Sequence, residues 1–219
     1  MARFLHAIVF RSVALAVAQP ATVSSCGAGD GDAGVRADEV CGRFARPAHV
    51  ASALAKLAGA ERFNEDLSKP KEALATLRAS DGKVGAFETM GVPNCLLRPA
   101  TGGGQLVTIY FREAVVILKA NSESEKTSTY YRTGASAASE ERVSSIYFHC
   151  RMAKPRKDII VNARLERESK VGLSGKEAAD NQMTVANAAA RSVAQQLGCQ
   201  GTDLSTGTPK AISGVYGPR

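Results

Sequence analysis

The chain has 219 residues with 28 Lys and Arg against 21 Asp and Glu, a formal net charge of +7, which suits one domain with flanking segments and excludes a large multidomain enzyme. Leu, Ile, Val and Phe number 47 of the 219 residues, just above the roughly one-fifth at which low hydrophobicity with high charge predicts disorder, so a core is attainable but thin. No apolar stretch reaches the about 18 residues that a bilayer-spanning helix needs, which excludes a polytopic membrane protein.

The first 25 residues carry Arg3 and Arg11 and no acid, then an apolar stretch from Ser12 to Ala18, then Gln19-Pro20 and Val23-Ser24-Ser25-Cys26. That order reads as an export signal, and its last four residues look like a lipobox: an aliphatic residue, two small residues and a cysteine. The expected outcome is a lipoprotein cleaved before Cys26, whose thiol carries diacylglycerol (and palmitate) and holds the chain at the outer face of the cell membrane. Val23 leading the box, Arg11 splitting the apolar run and Pro20 inside the segment depart from the usual pattern. Cleavage after Ala18, where Ala16-Val17-Ala18 supplies the small residues, is the alternative and gives a freely secreted protein. Residues 26–40 are rich in Gly and Asp and read as a flexible linker. Asp30-Gly31-Asp32 starts like a calcium loop, but Gly34 and Cys41 stand where acidic ligands belong, so no metal is expected.

An exported chain meets an oxidising compartment, where thiols pair. With Cys26 lipidated, Cys41, Cys95, Cys150 and Cys199 form two disulfides with none left over, although four cysteines allow three connectivities. No CxxC or Cys/His cluster suggests zinc.

After Cys41, Pro47 opens a helix in which Val50, Ala53, Leu54, Leu57 and Ala58 recur at helical spacing until Gly59. A second helix is expected from Ser68, as cap, to Ala79. From Cys95 the pattern turns to β-branched and aromatic residues. Strands are expected over Gln105–Arg112, Thr127–Arg132, Val143–Met152 and Asp158–Glu166, with Ala114–Ala120 continuing or pairing with the first. Ser174 and Glu177 fit a capping box ahead of a terminal helix whose stripe of Met183, Ala186, Ala190, Val193, Ala194 and Leu197 ends at Gly198. The fold class is therefore α+β: an antiparallel β meander of about four to five strands, with N-terminal and C-terminal helices packed on one face. The domain spans residues 41–199, and residues 200–219 read as a loose tail. Cys41 with Cys95 and Cys150 with Cys199 is the favoured pairing, because each bridge ties a helix end to a strand.

Cys41 leading into Ala53-Leu-Ala-Lys-Leu-Ala-Gly-Ala-Glu-Arg-Phe63, with Cys95-Leu-Leu-Arg98, Ser145-Ile-Tyr-Phe-His-Cys150 and Val193-Ala-Gln-Gln-Leu-Gly-Cys199, resembles an uncharacterised family of secreted or lipid-anchored streptomycete proteins. A looser likeness joins it to small actinomycete lipoprotein domains. The resemblance implies an extracytoplasmic location and a cysteine framework, and carries over no catalytic residue.

Candidate chemistry is sparse. His149 precedes Cys150 within a strand, so the two point to opposite faces and form no dyad; His49 falls in the first turn of a helix and reads as a surface residue. Gly134-Ala-Ser136-Ala-Ala138 lacks the last glycine of a nucleophile elbow and reads as a linker between strands. Glu166 and Glu168 share a face but alternate with Arg164, Arg167 and Lys170, which reads as a solvated ion-pair strand edge. The run Arg151, Lys154, Arg156, Lys157 is the strongest charge feature. It offers contact with anionic headgroups or wall polymers, against the plainer reading of a solvated hairpin loop. Nucleic acid is not expected outside the cell for a chain without Trp. The expectation is a non-enzymatic binding or scaffolding module, without cofactor, held at the membrane by its lipid and facing an unknown protein or cell-envelope partner. The alternative is a cell-envelope enzyme whose site is scattered through the sequence.

Overall fold

The computed structural model describes residues 34–80, 82, 91–118, 127–154, 156–168 and 173–213. The expected signal segment, Cys26, the Asp30-Gly-Asp32 sequence and the polar loop around Ser122–Lys126 lie outside the described residues. Among those described are nine strands: β1 (Val35–Arg36), β2 (Arg62–Asn64), β3 (Val92–Pro99), β4 (Val107–Ala114), β5 (Thr129–Arg132), β6 (Ser136–Ser139), β7 (Val143–Met152), β8 (Lys157–Arg167) and β9 (Lys210–Ile212). The helices are α1 (Val40–Arg43), α2 (Ala48–Ala58), α3 (Pro70–Ala79) and α4 (Gly175–Leu197).

The strands form one antiparallel sheet in the order β1-β2-β3-β4-β8-β7-β6-β5-β9. The four expected strands are present as β4, β5, β7 and β8, but β6 is inserted between β5 and β7, and β8 pairs with β4 along Val107–Ala114, which places it near the middle of a sheet larger than four or five strands. The additional strands have physical reasons for being hard to see. β1, β2 and β9 have two or three residues, too few for a period of two to show. β3 carries Pro93 and Pro99 and a register shift between Pro93 and Cys95, and β6 is built from Ser and Ala, poor strand formers by composition.

The helix boundaries follow punctuation. Pro47 caps α2 and Gly59, at φ 67°, closes it; Gly198, at φ 70°, closes α4. Two expected caps do not form. Ser68 leaves α3 to begin at Pro70, because its hydroxyl accepts the Leu96 amide at 2.9 Å and so ties the loop to β3. Ser174 is the N-cap of α4 without a side-chain cap bond, and Glu177 instead meets Lys56 of α2 at 3.4 Å.

Alternation sorts the central strands into two faces. Ile109 and Phe111 of β4, Ile146 and Phe148 of β7 and Val161, Ala163 and Leu165 of β8 join one buried cluster with Leu54 and Leu57 of α2, Leu77 of α3 and Met183, Ala186 and Ala190 of α4. α4 runs beside β7 and β8 and touches α2, while α3 lies beside β3 and β4. Gly134, at φ 60°, brings the β5–β6 turn so close to β7 that a Cβ there would fall 2.5 Å from the Tyr147 carbonyl oxygen.

Disulfides join Cys41 to Cys95 and Cys150 to Cys199, with Cα separations of 5.7 and 4.6 Å. Cys41, Gly42 and Arg43 all have positive φ (45°, 77° and 65°), a coil that two non-glycine residues adopt at a cost; the bridge to β3 and the Glu65 carboxylate, which accepts the Cys41 amide, hold it there. The second bridge is extended by reciprocal backbone bonds between Arg151 and Gln200 at 3.3 and 3.0 Å.

Two expected boundaries need correction. Within the 26–40 linker, Val35 and Arg36 are already in the sheet, paired with Phe63 and Arg62. The 200–219 tail is not loose over its described part. The Asn187 amide donates to the Ser205 carbonyl at 2.9 Å, the Ser205 amide donates to the Thr133 hydroxyl at 2.9 Å, and Lys210–Ile212 pairs with β5. Polar Gly/Ser/Thr composition concealed these bonds because the partners are buried polar side chains rather than an apolar stripe.

Candidate functional site

The face of the sheet turned away from the core carries polar side chains in ordered rungs. One rung reads Arg112 (β4), Asn162 (β8), Tyr147 (β7), Ser136 (β6), each residue directly opposite the next. The next reads Tyr110, Arg164, Ser145, Ala138 and Tyr130, continuing onto β5. Direct neighbours in such rungs stand about 5 Å apart and diagonal ones about 7–8 Å. Arg112 and Arg164 are diagonal neighbours, and so are Arg164 and Tyr147.

Of these, Arg112, Arg164, Tyr147, Ser145, Ser136 and Tyr130 line a cavity of about 370 Å³, walled further by Leu118, Val143 and Glu140. The segment after β4 crosses its rim: the Ser136 hydroxyl donates to the Leu118 carbonyl at 2.7 Å. At the other side the Ser128 hydroxyl donates to Glu140 Oε1 at 3.3 Å. Arg112 Nε donates to Asn162 Oδ1 at 3.3 Å, and the buried Asn162 amide donates on to the Ile146 carbonyl at 3.5 Å. Arg112 therefore has a neutral partner and no carboxylate among the described residues, whereas Arg164 is paired with Glu166. Tyr147 is 6% exposed. Burial pushes its phenol above the ordinary tyrosine range, and the Arg112 and Arg164 guanidinium groups oppose that rise. The phenol consequently stays protonated at neutral pH, a donor rather than a base or nucleophile.

The other arginine- and lysine-lined hollows are less free. One of about 840 Å³, lined by α2 residues, has Arg36 tied to Asp38 at 3.1 Å and Lys56 tied to Glu177.

No protein-family model, curated protein or solved structure matches the chain.

Several residues singled out in the sequence settle elsewhere. His149 is exposed on the outer face while Cys150 is buried on the inner one, and His49 is exposed on α2. Ser136 belongs to a strand rather than a linker. Glu166 does pair with Arg164, but β8 is a central strand and not an edge. Arg167 faces inward, 3% exposed, where it donates to the Glu141 carbonyl at 2.6 Å and the Leu173 carbonyl at 3.3 Å; burial lowers its pKa. In the basic run, Arg151, Lys154 and Arg156 are exposed at the β7–β8 turn, Arg151 lying 3.6 Å from Asp158. Lys157 is not a loop charge. Its Nζ donates to the Arg78 and Ser80 carbonyls at 2.9 and 2.7 Å, satisfying the carbonyl end of α3. Among the described residues no group of three His, Cys, Asp or Glu side chains gathers as a metal site. Sequence reading missed Arg112 and Tyr147. The available signal was the period of two in β4, β7 and β8 taken together, which puts Arg112, Arg164, Ser145 and Tyr147 on a common face.

Proposed function

We propose that this is a lipid-anchored extracytoplasmic binding module, held at the outer face of the membrane through Cys26, that engages its partner with the outer face of its sheet. The observation that carries the reading is the cysteine pairing: four of the five cysteines bond to one another, which leaves no cysteine of this chain for the one that ends the lipobox-like Val23-Ser24-Ser25-Cys26. Two disulfides are the mark of an extracellular protein. Among the described residues no helix is long and apolar enough to cross a membrane. α2 and α4 are read as packed on the inner face, leaving the outer face for recognition, and the exposed Arg151, Lys154 and Arg156 as a contact for anionic headgroups. The resemblance to secreted and lipid-anchored streptomycete proteins points the same way. Binding is favoured over catalysis by the chemistry of the cavity, where a protonated tyrosine stands beside two guanidinium groups.

Intact-mass analysis of the membrane fraction tests the anchor. A chain beginning at Cys26 with a diacylglyceryl mass is expected, and Cys26→Ala should leave the precursor uncleaved at that position. An unmodified N-terminus at Gln19 would overturn the anchor in favour of a secreted protein.

A further inference from the structure

We propose that the outer-face cavity is a receptor site for an oxyanion, a phosphate or carboxylate group on a small molecule, gripped by Arg112 and Arg164 with Tyr147 and Ser145 as neutral donors. The proposal deepens the binding-module reading and rests on it for biological setting.

Arg112 is the centre of the argument. Its Nε is spent on Asn162 and the guanidinium also donates to the Tyr147 phenol oxygen, which together fix its plane and leave the N–H groups not so engaged to be directed at a ligand. A cationic fork with no carboxylate partner among the described residues is matched by an oxyanion that presents two acceptor oxygens. Arg164 stands diagonally across the rung pattern, about 7–8 Å away at the backbone, within reach of the same anion for two long side chains. Glu166 takes the Nε of Arg164 and orients its fork in the same way that Asn162 orients Arg112. The phenol of Tyr147 and the hydroxyl of Ser145 stand on β7, on the other side of β8 from Arg112, so the four groups come from three neighbouring strands and line one cavity. Among the described lining residues Glu140 is the one carboxylate, and the Ser128 hydroxyl already binds it. Tyr130, Leu118 and Val143 form a wall for the uncharged part of the ligand. A volume of about 370 Å³ lies at the lower end of the range for small-molecule sites, about 300–1,000 Å³.

The chain has five Tyr and no Trp, so tyrosine emission reports on the cavity. The full chain is titrated with inorganic phosphate at constant ionic strength in chloride. A saturable change is expected, weakened at least tenfold by Arg112→Gln and by Arg164→Gln and several-fold by Tyr147→Phe. Arg46→Gln, which removes an equal charge from the surface near α2, should leave it unchanged. If either glutamine variant fails to fold, Arg112→Lys and Arg164→Lys keep the charge while removing the fork and should still weaken binding. A linear, unsaturable response, or equal weakening by Arg46→Gln, would overturn the site. Phosphatidylglycerol vesicles distinguish the source of the anion. Capture that inorganic phosphate displaces and Arg112→Gln abolishes assigns it to a lipid headgroup; saturable phosphate binding without vesicle capture assigns it to a soluble molecule. Vesicle capture indifferent to both glutamine variants, with no saturable phosphate binding, sinks the proposal. None of these readouts uses the lipid at Cys26, so a failed anchor and a failed oxyanion site give different results.

Discussion

The inner and outer faces of β4, β7 and β8 are made from alternate residues of the same three segments, and they meet opposite demands. Inner positions such as Ile109, Phe148 and Leu165 lie at 0% exposure in the common buried cluster; outer positions such as Arg112, Ser145 and Arg164 keep polar groups at the edge of water. The inner face tolerates little change because its atoms are close-packed. The outer face is set by hydrogen bonds between neighbouring rungs and can exchange side chains without losing the fold. A discordant residue appears on the inner side: Glu113, 6% exposed, has neither carboxylate oxygen hydrogen-bonded. It sits at the end of β4, where the covered surface runs out.

The comparison can be broken most severely by removing what pins the helices to the inner face. The bridges join residues 54 and 49 apart in sequence, for which loop-closure entropy gives about 4 kcal/mol each, with measured values often lower. Set against a net stability of roughly 5–15 kcal/mol, loss of both through Cys→Ala substitution should unfold the domain or lower its melting temperature steeply by circular dichroism. An unchanged melting curve would mean that packing alone holds the helices. A finer cut compares one residue from each face. Phe148→Ala should cost about 3–5 kcal/mol in urea denaturation, whereas Arg112→Ala should stay within about 0.5 kcal/mol; comparable losses would erase the distinction between the faces. The smallest effect is in alkaline pH. Tyr131, inward on β5, donates to Asp180 at 2.7 Å, and burial, followed by that carboxylate, raises its pKa. A folded pKa above the unfolded value, about 10, means that this stability is intact below about pH 10 and is lost as the pH climbs beyond it. Melting temperatures followed from pH 8 to pH 11 should fall less steeply in Tyr131→Phe than in the parent chain, and parallel curves would remove the phenol from the account.

What could be read from the chain beforehand follows the range of the forces involved. α2, α3, α4, β7 and β8 announce themselves through periodicity, and α2 and α4 also end at Gly, because local spacing decides them. The Cys150–Cys199 pairing was reachable because it joins the strand β7 to the residue just past α4. β1, β2 and β9 escaped, since strands of two or three residues exist through their partners and not through their own pattern. Ser68, Glu177 and Lys157 were misread for a related reason: each has a local role open to it, and a distant backbone or side chain takes it instead. The outer cavity was invisible for the same cause, as Arg112, Tyr147 and Arg164 are brought together by register and not by sequence spacing.

The two shortest outer strands also govern how copies of this molecule meet. β1 and β9 flank the nine-stranded sheet, and with two and three residues they offer an approaching chain almost no unpaired backbone ladder. Long, flat sheet borders invite strand addition and fibril growth. Here the long strands, β7 and β8, lie inside, so the protein can accumulate at high local density while resisting polymerisation through its sheet.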